Sequence, residues 1–149
     1  MIGYPMASKF AKLGRRVIGL DIEIPPELEK MGVQLIKGDI TERDLINDVI
    51  ASNRVNSILH AGGISGPMLY KDDPYKVFDV NSNGTLNIAE AARKNDVKRI
   101  VFLSSFVIYG EQKDRSVVDE SRMQCGSNSY AASKISAENI LRSYRETHK

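Results

Sequence analysis

Ile100-Val101-Phe102-Leu103-Ser104-Ser105 decides the fold: four apolar residues in unbroken succession, then two small polar ones. A run that short and that apolar reads as a strand buried on both faces, halted at the sheet edge by the serines. Working outward, the same pattern recurs. Residues 16–20 read as a strand ending at Asp21, residues 32–36 as one ending at Gly38-Asp39, and residues 55–60 as one halted by Gly62-Gly63. Helical patterns lie between them. Residues 4–13 form a short helix closed by Gly14, a residue suited to the left-handed position after a helix. Pro25 and Pro26 punctuate a loop, and Thr41 with Asp44 resembles a capping box opening a helix to about Ser52. Pro74 opens a long helix through Lys94, with Val77, Val80, Leu86, Ala89 and Ala92 as inward positions. Residues 114–129 read as polar loop and residues 130–148 as the last helix. Apolar strands alternating with amphipathic helices predict an α/β fold, a doubly wound, Rossmann-like parallel sheet. Such sheets bind ligands beyond the carboxyl ends of their strands. Asp21, Asp39, Gly62-Gly63 and Ser104-Ser105 all fall on that edge.

Composition narrows the classes. With 149 residues, 42% apolar, 27% charged and a net charge of +2, the chain reads as one ordinary globular unit spanning 1–149. Basic and acidic residues are interspersed, so neither a nucleic acid nor a membrane surface is implied as a partner. The one cysteine, Cys125, excludes an internal disulfide, and His60 and His148 alone do not make a zinc site. No apolar run approaches membrane-span length and no signal peptide is visible, so a cytoplasmic setting is expected.

The chemistry-bearing residues are Tyr130, Lys134 and Ser105. On a helix, Lys134 falls on the face of Tyr130, and Ser105 ends the strand quoted above. A phenol, an ammonium and a hydroxyl at one strand end are the parts that move a proton while a hydride leaves carbon. That points to redox chemistry on an alcohol or ketone with a nicotinamide. An ammonium about 5 Å from a phenolate, at an effective dielectric of about 20, stabilises it by roughly 3 kcal/mol. The plainer alternative is a helix-stabilising Tyr/Lys pair and serines that satisfy backbone groups.

Several segments in order carry a family likeness. These are Ile2-Gly3, Gly14 with Val17-Ile18-Gly19-Leu20-Asp21, Gly38-Asp39-Ile40, His60-Ala61-Gly62-Gly63, Asn81-x-Asn83-Gly84-Thr85-x-Asn87, Ser104-Ser105-x-x-x-Tyr109-Gly110 and Tyr130-x-x-x-Lys134. The series resembles the extended short-chain dehydrogenase/reductase family, in its NAD-dependent epimerase/dehydratase branch, from Ile2 to the end. The resemblance implies NAD as cofactor, Tyr130 as general acid/base, Lys134 as its electrostatic partner and a ribose ligand, and Ser105 as the holder of the substrate oxygen. It further implies that Asp21 binds the adenine ribose, that Asp39 and Ile40 flank the adenine, and that Ala61, Gly62 and Gly63 let backbone pass close to the cofactor. Asn81 would lie near the nicotinamide-side ribose, and Gly3 would be the last glycine of a pyrophosphate turn.

Each role has a structural counterpart. Asp21 can be turn chemistry, with Arg15 and Arg16 near enough to weigh against NAD over NADP. Asp39 can cap a helix, Gly62-Gly63 can serve a tight loop, and Asn81 can be a buried, hydrogen-bonded residue. His60 reads as structural and Cys125 as a surface thiol. Pairing of two copies is expected through residues 74–94 and 130–148.

The chain also departs from that pattern. Of the family's Gly-x-x-Gly-x-x-Gly turn only Gly3 is matched, and neither the preceding strand nor the later sugar-binding part is visible. The Rossmann-like sheet is therefore expected to be incomplete, and the chain to be an internal fragment or a misassigned reading frame, marginally folded and weak in NAD binding. The function expected is that of a sugar or nucleotide-sugar epimerase/dehydratase. Dehydratase is least favoured, because Phe106, Val107 and Ile108 follow Ser105 where an acidic pair would be needed. The alternatives are a sugar or uronate dehydrogenase, suggested by the stretch from His60 to Ser65, and a non-catalytic binding module or inactive truncated product.

Overall fold

The computed structural model describes residues 2–110 and 117–148. Helix α1 (Gly3–Lys12) leads to β1 (Ile18–Asp21), a one-turn α2 (Pro26–Glu29) and β2 (Gln34–Lys37). Then come α3 (Arg43–Ser52), β3 (Ser57–His60), α4 (Pro74–Phe78), α5 (Gly84–Lys94), β4 (Arg99–Phe102) and α6 (Ser129–Thr147). All pairing is parallel. β1 pairs with β2, Ile18 opposite Gln34 through Asp21 opposite Lys37, and β3 pairs with β4, Ser57 opposite Arg99 through His60 opposite Phe102. Among the described residues no ladder joins β1 to β3. One helical layer nonetheless serves both pairs. Ile46 and Ile50 of α3 and Ile88 and Ala91 of α5 form the core cluster, against which Leu20, Val55, Ile58 and Ile100 pack.

Several expectations are corrected. The Pro25-Pro26 loop contains α2, because Pro26 at the first helical position loses no hydrogen bond there. Helix α3 begins at Arg43 with no side-chain cap. Instead, Glu42 reaches back to accept the Asp39 N–H (2.9 Å), while Asp39 accepts the Thr41 N–H (2.9 Å). The long helix over 74–94 is interrupted by a π-turn at Asp79–Asn83, a wider turn of the kind that gathers at functional sites. Within it Val77, Ala89 and Ala92 are buried as expected and Val80 is half-buried, but Leu86 is 40% exposed. Strand β4 is not covered on both faces: Val101 is 48% exposed. His60 is the one fully buried strand residue among those described. Of the expected polar loop, residues 114–116 lie outside the described residues, and 117–128 carry neither helix nor strand.

Candidate active site

The carboxyl ends of β3 and β4 gather the predicted chemistry. The ladder continues one residue past β4, where the Leu103 N–H donates to the His60 carbonyl (3.1 Å). Leu103 turns its own carbonyl to the Lys134 ammonium (3.0 Å). That Nζ also stands 4.7 Å from the centroid of the Phe102 ring, a cation–π placement. Lys134 is only 7% exposed, and burial lowers its basicity, partly offset by the Glu138 carboxylate. Tyr130, one turn earlier on α6, is 5% exposed. The helix that carries both is opened by Asn128, whose Oδ1 accepts the Ala131 N–H (2.8 Å). Ser105 follows two residues after Leu103, half-buried, and its hydroxyl accepts the Val107 N–H (3.4 Å) at the head of a 3₁₀ turn, Phe106–Tyr109.

The glycine loop after β3 closes against the same lysine. Gly63 has φ +140°, and a Cβ there would lie 2.7 Å from Asn81 Oδ1 and 3.8 Å from Lys134 Nζ, so no side chain fits. Asn81, buried in the π-turn, grips the next residue at both ends: its Oδ1 accepts the Ile64 N–H (2.8 Å) and its Nδ2 donates to the Ile64 carbonyl (3.2 Å). Gly62 packs on Ile40, and a Cβ at Gly3 would stand 3.7 Å from Ala61, ordinary contact. The start of α1 is thereby placed beside the end of β3. It carries neither a side-chain cap nor an acidic residue in its first turn.

Asp21 and Asp39 sit at the ends of the other strand pair. Asp21 is exposed and accepts the Glu23 N–H (3.2 Å), so the turn role holds there. Arg16 is committed elsewhere, donating to the Asn53 carbonyl and side chain (2.8 Å each) at the opposite end of β1. The register partner of Asp21 on β2 is Lys37. Ile40 is half-buried against the core cluster, filling the space over Gly84 as well as Gly62. Cys125 is exposed and touches Gly110. Among the described residues no three His, Cys, Asp or Glu side chains could hold a metal ion.

Four residues assigned no site role from sequence matter here: Thr85, Asn87, Ser133 and His60. Asn87 donates to the carbonyls of Ile40 (3.0 Å) and Thr41 (3.1 Å), pinning the loop after β2. Thr85 donates to the Asn81 carbonyl (2.6 Å) and meets His60 Nε2 (2.9 Å). A hydroxyl has one proton, so with Thr85 donating to Asn81, His60 must donate from Nε2. Burial, then the Lys134 charge, lowers the His60 pKa to about 4, so the ring is neutral near pH 7. The signal for Thr85 and Asn87 lies in the Asn-x-Asn-Gly-Thr-x-Asn series itself; Ser133 sits unmarked within Tyr-x-x-x-Lys.

A parallel α/β sheet with a glycine loop, a serine and a Tyr-x-x-x-Lys helix at its carboxyl edge defines the Rossmann-like class. The model of the NAD dependent epimerase/dehydratase family matches residues 1–149, and the chain belongs to that family. It is 31% identical over 149 residues to the UDP-glucose 4-epimerase of Neisseria meningitidis serogroup B, covering 94% of this chain and 44% of that one. The structure superposes on the UDP-glucose 4-epimerase of Thermus thermophilus in complex with NAD with a TM-score of 0.93 and 26% identity, over 99% of this chain and 49% of that one. Against the Bifidobacterium longum UDP-glucose 4-epimerase in complex with NAD+ and UDP, the TM-score is 0.83 at 27% identity, over 94% and 44%. The chain spans about half the length of the relatives it matches.

Proposed function

We propose that residues 1–149 form the partial cofactor-binding domain and proton-transfer part of an NAD-dependent nucleotide-sugar epimerase. The observation that carries this is the seating of Lys134 on the Leu103 carbonyl beside Gly63, one turn from Tyr130 and at the strand end that Ser105 follows. Tyr130 takes the proton of a sugar hydroxyl and later returns it. Lys134 is the electrostatic partner of Tyr130 and holds a ribose hydroxyl, and Ser105 donates to the substrate oxygen. When bound, NAD supplies a hydride acceptor that becomes the donor for the opposite face of the sugar carbon.

The remaining assignments follow the sheet edge. Asp21 takes the adenine ribose, Asp39 and Ile40 border the adenine, and the uncapped start of α1 at Gly3 faces the pyrophosphate. Ala61, Gly62 and Gly63 admit the cofactor close to backbone, with Asn81 behind the nicotinamide-side ribose. The Asp21 carboxylate, which repels a 2′-phosphate, favours NAD over NADP, and Arg16 is held away at Asn53. No described helix is long and apolar enough to cross a membrane, and a cytoplasmic setting accords with a nucleotide-sugar substrate.

The test is conversion of UDP-glucose to UDP-galactose by the gene product carrying this sequence, with NADH followed in parallel. Isomer without net NADH is expected, and Tyr130→Phe is expected to lower the rate by roughly 10²–10⁴. Net NADH accumulation would favour the dehydrogenase, and a wild-type rate in Tyr130→Phe would overturn the reading.

The same proposal includes pairing of two copies through α5 and α6. Leu86, Ala132, Ile135, Ile140 and Tyr144 line a groove of about 660 Å³ there. Exposure of Leu86 beside these apolar residues is what a helical interface requires. Ile140→Asp is expected to yield monomer by analytical ultracentrifugation, where the unaltered protein sediments as dimer.

A further inference from the structure

Ser133 is among the least accessible residues of the chain, at 0% exposure, and every hydrogen-bonding group on it is engaged. Its hydroxyl donates to the Tyr130 carbonyl (2.8 Å) and accepts Asn81 Nδ2 (3.0 Å). Its own carbonyl accepts the Ser82 hydroxyl (3.3 Å). The Tyr130 carbonyl is the one that the helix ladder gives to the Lys134 N–H, so Ser133 braces the turn that separates the two proposed catalytic side chains.

The other half of the contact is equally constrained. Asn81 donates one amide proton to Ser133 and the other to the Ile64 carbonyl, while its oxygen takes the Ile64 N–H. The amide can face only one way, because a flip would set its oxygen against the Ile64 carbonyl and its NH2 against the Ile64 N–H. Its backbone is held separately, since the Asn81 carbonyl takes the Thr85 hydroxyl that His60 in turn supports. A single polar hub thus ties α6, the π-turn, the end of β3 and the Gly63–Ile64 loop. Lys134 Nζ lies where these meet, against Gly63 on one side and the Leu103 carbonyl on the other.

We propose that Ser133 is the positioning residue that fixes Lys134, and with it the Tyr130 turn, against the Gly63 loop. The proposal rests on the reading that Lys134 works with Tyr130. Apolar packing alone would hold α6 near the π-turn yet allow it to slide or rotate by a fraction of a residue. A buried, fully satisfied hydrogen-bond hub has one geometry. A shift of that size would carry the Lys134 ammonium off the Leu103 carbonyl, even with the fold intact.

The test reads Lys134 directly, in the full chain labelled with ¹⁵N-lysine. Its side-chain ammonium is expected to give a resolved, exchange-protected NMR signal, assigned by its loss in Lys134→Arg. In Ser133→Ala that signal is expected to broaden into the exposed lysines, and its titration midpoint to rise towards that of the other lysines. Ile46→Val, which weakens the core from α3, is expected to lower stability without moving either readout. Should Ser133→Ala not fold, Ser133→Cys keeps the packing with a poorer donor and acceptor and is expected to shift both readouts the same way. An unchanged Lys134 signal and midpoint in a folded Ser133 variant would overturn the proposal. So would a Lys134 signal already averaged with the exposed lysines in the unaltered chain. Neither readout uses cofactor or turnover, so failure of the epimerase assay and failure here are separate results.

Discussion

His60 shows how one side chain at this edge couples fold to pH. Its ring donates to Thr85, packs 5.1 Å from the Phe102 ring and lies within reach of the Lys134 charge, so protonation would add a second buried cation beside the first. The folded chain therefore holds the imidazole down to about 4, against roughly 6.5 in an unfolded chain. Between those values the unfolded state binds a proton that the folded state refuses, so stability rises with pH across the window. The contribution is fully present above about 6.5, is lost as pH falls towards 4, and amounts to about 3 kcal/mol at roughly 1.4 kcal/mol per unit. Glu90, held down to about 2 chiefly by its hydrogen bond from Arg93, weakens the fold only at lower pH, below its ordinary range near 4.5. The two effects separate. Urea unfolding between pH 7 and pH 5 is expected to show the slope in the unaltered protein and to lose most of it in His60→Gln; equal slopes would refute this account.

At the scale of elements, the contact of α5 with the loop after β2 is set by one absent side chain. A Cβ on Gly84 would stand 2.7 Å from both Cδ1 and Cγ1 of Ile40. Gly84 has ordinary helical dihedrals (φ −57°, ψ −42°), so alanine would gain up to about 1 kcal/mol of helix propensity. Overpacking against a β-branched neighbour costs about 1–3 kcal/mol and wins. Gly84→Ala is expected to lower stability by about 1–2 kcal/mol in urea unfolding and, by moving Ile40, to weaken NAD binding by titration. Gly3→Ala, whose Cβ would make an ordinary 3.7 Å contact with Ala61, is expected to be neutral in stability. This contact also marks where sequence reading stops. Strand ends are legible because Asp21, Gly38-Asp39, Gly62 and Ser104 punctuate short apolar runs, and α6 is legible because nothing breaks its pattern. The π-turn is not, since Val77, Ala89 and Ala92 suit a continuous helix. Hydropathy likewise sends Leu86 inward and Thr85 outward, the reverse of what occurs. Thr85 can be buried because its hydroxyl has Asn81 and His60 as partners, and those partnerships are tertiary. Ser133 is hidden for the same reason: a small polar residue gains meaning only from what faces it.

For the whole molecule the governing fact is the divided sheet. β1–β2 and β3–β4 share the Ile46, Ile50, Ile88 and Ala91 layer, yet among the described residues β1 and β3 each keep an edge without a ladder. Unpaired strand edges leave backbone N–H and C=O groups to water and invite a further strand. In a Rossmann-like order the place between these two strands belongs to a central parallel strand whose glycine turn meets the first helix. A strand there would complete two ladders and bury about four apolar side chains at roughly 1.5–3 kcal/mol each. The sum is comparable with the whole stability of an ordinary domain, about 5–15 kcal/mol. The pyrophosphate would also gain donors beyond those at the start of α1. The 149-residue chain is therefore expected to unfold in urea with less than about 5 kcal/mol of stability and to bind NAD weakly. The same chain preceded by an apolar strand and a glycine-rich turn is expected to unfold at higher urea with a steeper transition, because more surface is exposed on unfolding, and to bind NAD more tightly. Equal midpoints and equal NAD affinity in the two chains would show that the helical layer alone holds β1 and β3 in their places.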